Sequence, residues 1–175
     1  MLTIRKETPK DIPGIRRVLE AAFGRSSEAD LVDTLRAANA LLLSLVAVED
    51  GAIRGHIAFS PVTIESERST CDAVGLAPVA VFPQHQHRAI GSELVRRGLD
   101  ECRRRGHPAV VVLGAPEFYK RFGFSTSSAR GIRCSFDVPE EAFMVMELMS
   151  GALAGQTGTV RYRSEFDRVS HERAA

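Results

Sequence analysis

The stretch that decides the fold reads Val79-Ala80-Val81-Phe82-Pro83-Gln84-His85-Gln86-His87-Arg88-Ala89-Ile90-Gly91-Ser92. Its first part is apolar and stops at a proline, as a buried strand does. Its last part opens a run in which Ile90, Leu94, Val95, Gly98, Leu99 and Cys102 share one helical face. The unit is therefore strand, short turn, helix. The first amide N–H groups of a helix have no partner inside it, and the helix dipole adds partial positive charge there. A diphosphate fits such a place. Taken alone, the turn supports only an anion site, and an ordinary strand–helix connection reads the same way. The chain has neither G-x-x-x-x-G-K-[ST] nor G-x-G-x-x-G. That argues against a nucleotide triphosphatase or a dinucleotide dehydrogenase.

Working outward, residues 73–82 form one nearly continuous apolar run. Pro78 lies inside it and cannot donate a ladder hydrogen bond, so a bulge or lost pairing is expected there. The helix is predicted over 90–106, with Arg103, Arg104 and Arg105 at its negative pole and Gly106 as its stop. Upstream, alternation predicts a strand over 2–8. Helical spacing follows from Pro9 to Gly24, then again over 27–38. Strands at 42–49 and 52–64 flank Glu49-Asp50-Gly51, a hairpin signal. Polar residues 65–72 read as a loop. Downstream come a strand at 109–113, a turn at Gly114-Ala115-Pro116 and a short helix at 117–122. Gly123-Phe124 starts a further strand, and 142–148 is the last strong one. Residues 150–158 read as a mobile connection, 159–166 as an edge strand and 167–175 as a frayed end. The order is that of a mixed α/β domain.

Length and composition fit this reading. A chain of 175 residues, 44% of them hydrophobic, can bury a core of its own. The domain is expected over 1–149, with a C-terminal extension over 150–175. A net charge of +1 creates no broad field for nucleic acid or an anionic membrane, and neither partner is expected. The basic start at Arg5 and Lys6 is followed by no leader-like apolar segment. The apolar runs at 41–48 and 73–82 fall short of the ~20 residues that span a bilayer. A cytoplasmic protein is expected. Cys71, Cys102 and Cys134 form no C-x-x-C pair and no zinc pattern, so no metal and no cysteine nucleophile are expected.

Three motifs in order give the stretch its context. Gln86, Ala89 and Gly91 occupy the places of [Q/R]-x-x-G-x-[G/A], so the turn resembles that of the GNAT-type N-acetyltransferase superfamily. The preceding Ala80-Val81-Phe82-Pro83 resembles the family's strand ending in A-V-x-P. Val111-Val112-Leu113-Gly114 and Tyr119-Lys120-Arg121-Phe122-Gly123-Phe124 resemble its second cofactor segment, Y-x-x-F-G-F. Ile4-Arg5 and the residues Glu28, Leu31, Leu35 and Arg36 are similar too, so the resemblance covers residues 1–149. It implies the GNAT fold: a central mixed, mostly antiparallel sheet with a splayed parallel strand pair and helices on both faces. It implies acetyl-CoA as cosubstrate and a primary amine, small molecule or protein, as acceptor. The pantetheine arm would pair with the backbone of Val79 and Val81, and Ala80 between them belongs to the same cofactor-binding stretch. The pyrophosphate would sit on Gln86, His87, Arg88, Ala89, Ile90, Gly91 and Ser92. The Val81 N–H would polarise the thioester carbonyl, and Tyr119 would be the general acid for the departing thiolate. One departure stands out: Ala89 takes the place of a glycine, where a methyl group would crowd the nearest phosphate.

The base and the acceptor stay open. The strand before the turn carries no carboxylate. Glu28, Glu65 and Glu117 are candidates through folding, and His85 and His87 flank the turn. His56 alternates within a strand and reads as structural. The acceptor site is expected from the first two helices, the loop after them and residues 125–137, with Phe23, Phe118 and Phe136 as candidate walls. Ala89 and the missing carboxylate also allow a non-catalytic acyl-CoA sensor. A C-terminal edge strand would offer a surface for a homodimer.

Overall fold

The computed structural model describes residues 1–169; the last part of the expected frayed end, 170–175, lies outside the described residues. The chain divides into two compact units that interleave along the sequence. One holds Met1–Ser60 and Ala77–Asp100, the other Pro61–Leu76 and the chain from Glu101 on.

In the first unit, β1 (Leu2–Lys6) pairs antiparallel with β2 (Leu43–Glu49) from Leu2↔Glu49 to Lys6↔Leu45. The predicted hairpin joins β2 to β3 (Ala52–Glu65), with Leu43↔Phe59 at one end and Glu49↔Ala52 at the other. Asp50 and Gly51 both take positive φ, 51° and 75°. That is the backbone a two-residue hairpin needs to match strand twist. Helix α1 (Ile12–Phe23) ends at Gly24, whose φ of 69° turns its N–H back to the Glu20 carbonyl. Helix α2 is Ser27–Ala37. Ile15, Val18 and Leu19 of α1 and Ala29 and Val32 of α2 bury against Val46 and Ala58 of the hairpin. Arg16 ties the two helices together through Asp30 at 2.8 Å and Asp33 at 2.9 Å.

Helix α3 (Ile90–Arg104) follows the predicted stripe: Ile90, Leu94, Val95, Leu99 and Cys102 are buried. Two glycines let it approach β3. A Cβ on Gly55 would lie 2.9 Å from Leu94 and 3.1 Å from Ile90. A Cβ on Gly98 would lie 2.4 Å from the Phe59 ring. All three cysteines are free thiols, and burial pushes Cys102 up to about 11.

In the second unit, β4 (Thr70–Val81) runs parallel to β5 (Ala109–Leu113) from Val74↔Val110 to Leu76↔Val112. Then the pairing stops, next to the cis Ala77–Pro78 bond. Three short elements follow β5: helix α4 (Pro116–Tyr119), strand β6 (Ser125–Thr126) and strand β7 (Ile132–Cys134). Strand β8 (Phe143–Glu147) pairs antiparallel with β5 and with β6. Strand β9 (Gly158–Tyr162) takes the expected place of an edge strand, yet it has two neighbours. It pairs antiparallel with β3 over residues 62–65 and parallel with β7. That pairing carries β3 to Glu65, so the polar loop shrinks to 66–69. Gly158 allows it: its φ is 138°, and a Cβ there would stand 2.1 Å from the Glu65 carbonyl oxygen.

The core of this unit contains Val62, Ile64, Val111, Ile132, Phe143, Val145, Leu153 and Val160. Residues after 149 thus contribute directly to it. The segment read as a mobile connection is pinned, since the Glu147 carboxylate accepts from the Gly151 and Leu153 N–H groups, both at 3.2 Å. Among the described residues no helix is long and apolar enough to cross a membrane.

Candidate cofactor and catalytic site

The half of β4 that lies in the first unit leads straight into the turn. Backbone groups alternate sides along a strand. The Phe82 N–H bonds the Arg54 carbonyl on β3 at 2.8 Å. Ala80 faces that same side: its carbonyl lies 3.1 Å from where a Gly55 Cβ would stand, and its methyl is core. Val79 and Val81 therefore present their N–H and C=O to the opposite edge, the one β5 pairs up to Leu76. Ala80, between them, faces β3.

The turn is built by the backbone. Pro83–His85 makes a single 3-10 turn, closed by the Gln86 N–H on the Pro83 carbonyl at 3.3 Å. Gln86 is extended and returns its side chain to β4, donating from Nε2 to the Val81 carbonyl at 3.1 Å. His87 and Ala89 both have φ of 61°. Left-handed residues in a turn gather backbone N–H groups into a concavity suited to anions. The Ala89 position thus needs a glycine-like backbone as well as space. Helix α3 starts at once: the Glu93 N–H bonds the Ala89 carbonyl at 3.0 Å. The Ile90 and Ser92 side chains are buried, and the first amides of a helix have no carbonyl partner within it.

Side chains around the turn are already committed. Arg88 donates to both oxygens of Glu49, at 3.0 and 3.2 Å, and to His85 Nδ1 at 2.8 Å. The Arg88 hydrogen bonds hold the Glu49 carboxyl below its ordinary range. His85 therefore spends its Nδ1 lone pair on Arg88, and His87 is exposed.

Tyr119 is placed within the second unit. Pro116 opens α4 just after β5, and Tyr119 closes it, only 6% exposed. Its ring meets Phe118 edge-on at 4.9 Å and Phe124 at 5.7 Å. A Cβ on Gly114 would come within 2.5 Å of the same ring. Gly123, with φ of 105°, makes the reversal that folds Phe124 back. The Y-x-x-F-G-F motif is thus a cage for one tyrosine.

The candidate bases part company. Glu28 is fully buried but gripped by Arg25 at 2.6 Å. Glu65 faces Arg161 at 3.6 Å, and Glu117 is 94% exposed. Among the candidate walls, Phe23 packs on the first unit's core and Phe118 on Tyr119. Phe136 stacks on Tyr162 at 5.3 Å.

A polar network absent from the sequence reading joins Glu7 to Arg36 of α2, Ser44 of β2 and His56 of β3. Glu7 takes Arg36 Nε at 2.7 Å and the Ser44 hydroxyl, and Ser44 Oγ meets His56 Nε2 at 2.8 Å. Ser44 has one proton and gives it to the carboxylate, so His56 donates from Nε2. Its Nδ1 is buried with no hydrogen bond among the described residues. Burial pushes His56 below its ordinary value. Burial would raise Glu7, but hydrogen bonds from His56, Arg36 and Ser44 hold it at about 2. The available signal was two polar side chains, Ser44 and His56, among apolar neighbours on adjacent strands.

Known proteins resemble this chain in sequence and fold. The family model for the acetyltransferase (GNAT) domain matches residues 3–127. The chain is 41% identical to the uncharacterized N-acetyltransferase YhbS of Escherichia coli (strain K12), over 95% of this chain and 99% of that one. The crystal structure of Escherichia coli YhbS in complex with CoA superposes with a TM-score of 0.90, at 41% identity, covering 95% of this chain and 92% of that one. A GNAT family acetyltransferase from Brucella melitensis, in complex with acetyl-CoA, gives a TM-score of 0.79 at 39% identity, covering 95% of this chain and 99% of that one. A family model over most of the chain and relatives of about 40% identity over nearly its whole length agree, and the chain belongs to the GNAT acetyltransferase family.

Proposed function

We propose that the protein transfers an acetyl group from acetyl-CoA to a primary amine by direct attack in a ternary complex. The observation that carries this reading is the course of β4. It leaves β5 after Leu76, presents Val79 and Val81 along the freed edge and delivers the chain to a left-handed turn at the head of α3. A linear ligand with a diphosphate matches that sequence of donors. Relatives at about 40% identity hold CoA and acetyl-CoA, which supports the same ligand here.

Acetyl-CoA supplies the activated thioester. The turn over residues 86–92 holds its pyrophosphate, with Arg88 contributing its backbone while its side chain stays on Glu49. Val79 and Val81 bind the pantetheine arm, and the Val81 N–H supports negative charge growing on the carbonyl oxygen. The neutral amine nitrogen bonds to the acetyl carbon and releases its proton to solvent water. Tyr119 gives its hydroxyl proton to the sulfur as the C–S bond breaks. In this reading the protein works in the cytoplasm, and the acceptor is a small molecule or a protein.

Calorimetry with acetyl-CoA, paired with a thiol-release assay over a panel of amines, tests the reading. Binding with amine-dependent release is the expected result. Ala89 favours a second reading, an acyl-CoA sensor, and binding without release from any amine would select it. Absence of binding would refute both.

A further inference from the structure

A cavity of about 500 Å3 opens within the second unit. That volume is ordinary for a small-molecule site. One wall is Phe143, the β8 partner of Leu113 at the end of β5, the point from which the Tyr119 segment leaves. Phe136 and Val138 extend the apolar wall. Phe136 is held in place by the Tyr162 ring, and its N–H bonds Cys134 Sγ at 3.5 Å. The wall is therefore formed in advance of any ligand.

Two charges of opposite sign stand on this cavity, Arg133 and Glu140. Both are exposed, and among the described residues neither side chain forms an ion pair or a hydrogen bond. Nearby arginines behave differently. Arg130 pairs with Glu147 at 3.0 Å, Arg161 with Glu65 at 3.6 Å and Arg163 with Glu165 at 2.8 Å. A separated cation and anion over an apolar wall complement a molecule that carries both charges and an apolar body.

We propose that this cavity binds the acceptor as a zwitterion, an amino acid with an apolar side chain. Arg133 takes the carboxylate, Glu140 takes the ammonium, and Phe136, Val138 and Phe143 take the side chain. Arginine suits the carboxylate because its fork donates two parallel hydrogen bonds. The inference rests on the acetyl-transfer reading and narrows its substrate class.

The test compares matched ligands by calorimetry on the full chain: phenylalanine, phenethylamine without the carboxylate and 3-phenylpropionate without the amine. Leucine and isopentylamine form a second pair. At least one amino acid should bind about tenfold more tightly than its decarboxylated partner, the size of one charge-assisted hydrogen bond. Arg133→Gln should abolish that preference, and Arg133→Lys should restore part of it. Glu140→Gln should abolish the preference for phenylalanine over 3-phenylpropionate. Both side chains are exposed, and circular dichroism checks that the variants fold. Equal binding of amine and amino acid, no binding by either amino acid, or a preference that survives Arg133→Gln would overturn the inference. Thiol release then separates the two levels. Release from amines regardless of a carboxylate leaves acetyl transfer standing and removes the zwitterion. Charge-matched binding without release leaves the cavity standing and removes acetyl transfer.

Discussion

Replacing Ala89 by glycine should stabilise the protein, although glycine next to a helix usually does the reverse. The residue has φ of 61°. For an L-residue that conformation costs about 1–2 kcal/mol, from the Cβ meeting the backbone. Glycine removes the cost, but its freer unfolded chain takes back about 0.4–1 kcal/mol. The difference is a net gain of about 0.5–1 kcal/mol, or roughly 1–4 °C in midpoint for a domain of this size. The side chain is exposed, so no packing is lost. In a right-handed conformation the same change would cost roughly 0.5–1 kcal/mol. The sign of the effect therefore reports the backbone. Urea denaturation of both proteins, followed by far-ultraviolet circular dichroism, measures it. Removal of the methyl should also tighten acetyl-CoA binding by up to about tenfold, equivalent to 1.4 kcal/mol. A destabilisation of about 1 kcal/mol together with unchanged affinity would refute the account of the turn.

Other perturbations probe the rest of the design. Tyr119→Phe keeps the caged ring and removes only the hydroxyl; turnover should fall about 10²–10⁴-fold with acetyl-CoA affinity within about twofold, and unchanged turnover would take Tyr119 out of the mechanism. Gly98→Ala drives a methyl to within 2.4 Å of the fully buried Phe59 ring; thermal unfolding should show a loss of about 1–3 kcal/mol, despite alanine's better helix propensity. Glu7 is held at about 2 against an ordinary 4.5, so its contribution is complete above pH 4.5 and is lost as pH falls towards 2. Acid titration of stability should show that loss, up to about 3 kcal/mol, and Glu7→Gln should flatten it while lowering stability at neutral pH.

The elements that specify themselves locally were the legible ones. The α3 stripe is read from its own spacing, and the hairpin from Asp50-Gly51. Ala89 was noticed as a missing glycine, but its left-handed backbone came only with the structure. Strand β7 has three residues, Ile132, Arg133 and Cys134, too few to show a period, and its partner is more than twenty residues downstream. The second neighbour of β9 was hidden for the same reason. The Glu7–Ser44–His56 network joins three separate strand regions, and no local pattern relates them. The edge offered by Val79 and Val81 follows from one long-range hydrogen bond, Phe82 to Arg54, which fixes the phase of the strand.

The place of β9 has a consequence for how the protein is made. Strand β3 leaves the ribosome more than ninety residues before the strand that covers it over residues 62–65. During translation that stretch of β3, which includes the apolar Val62 and Ile64, stays an open edge able to pair with another nascent chain. The first unit can assemble once residue 100 has emerged, whereas the second must wait for residues near 160. The interval between the two strands is thus one in which the chain is exposed to misassociation and a chaperone has most to protect.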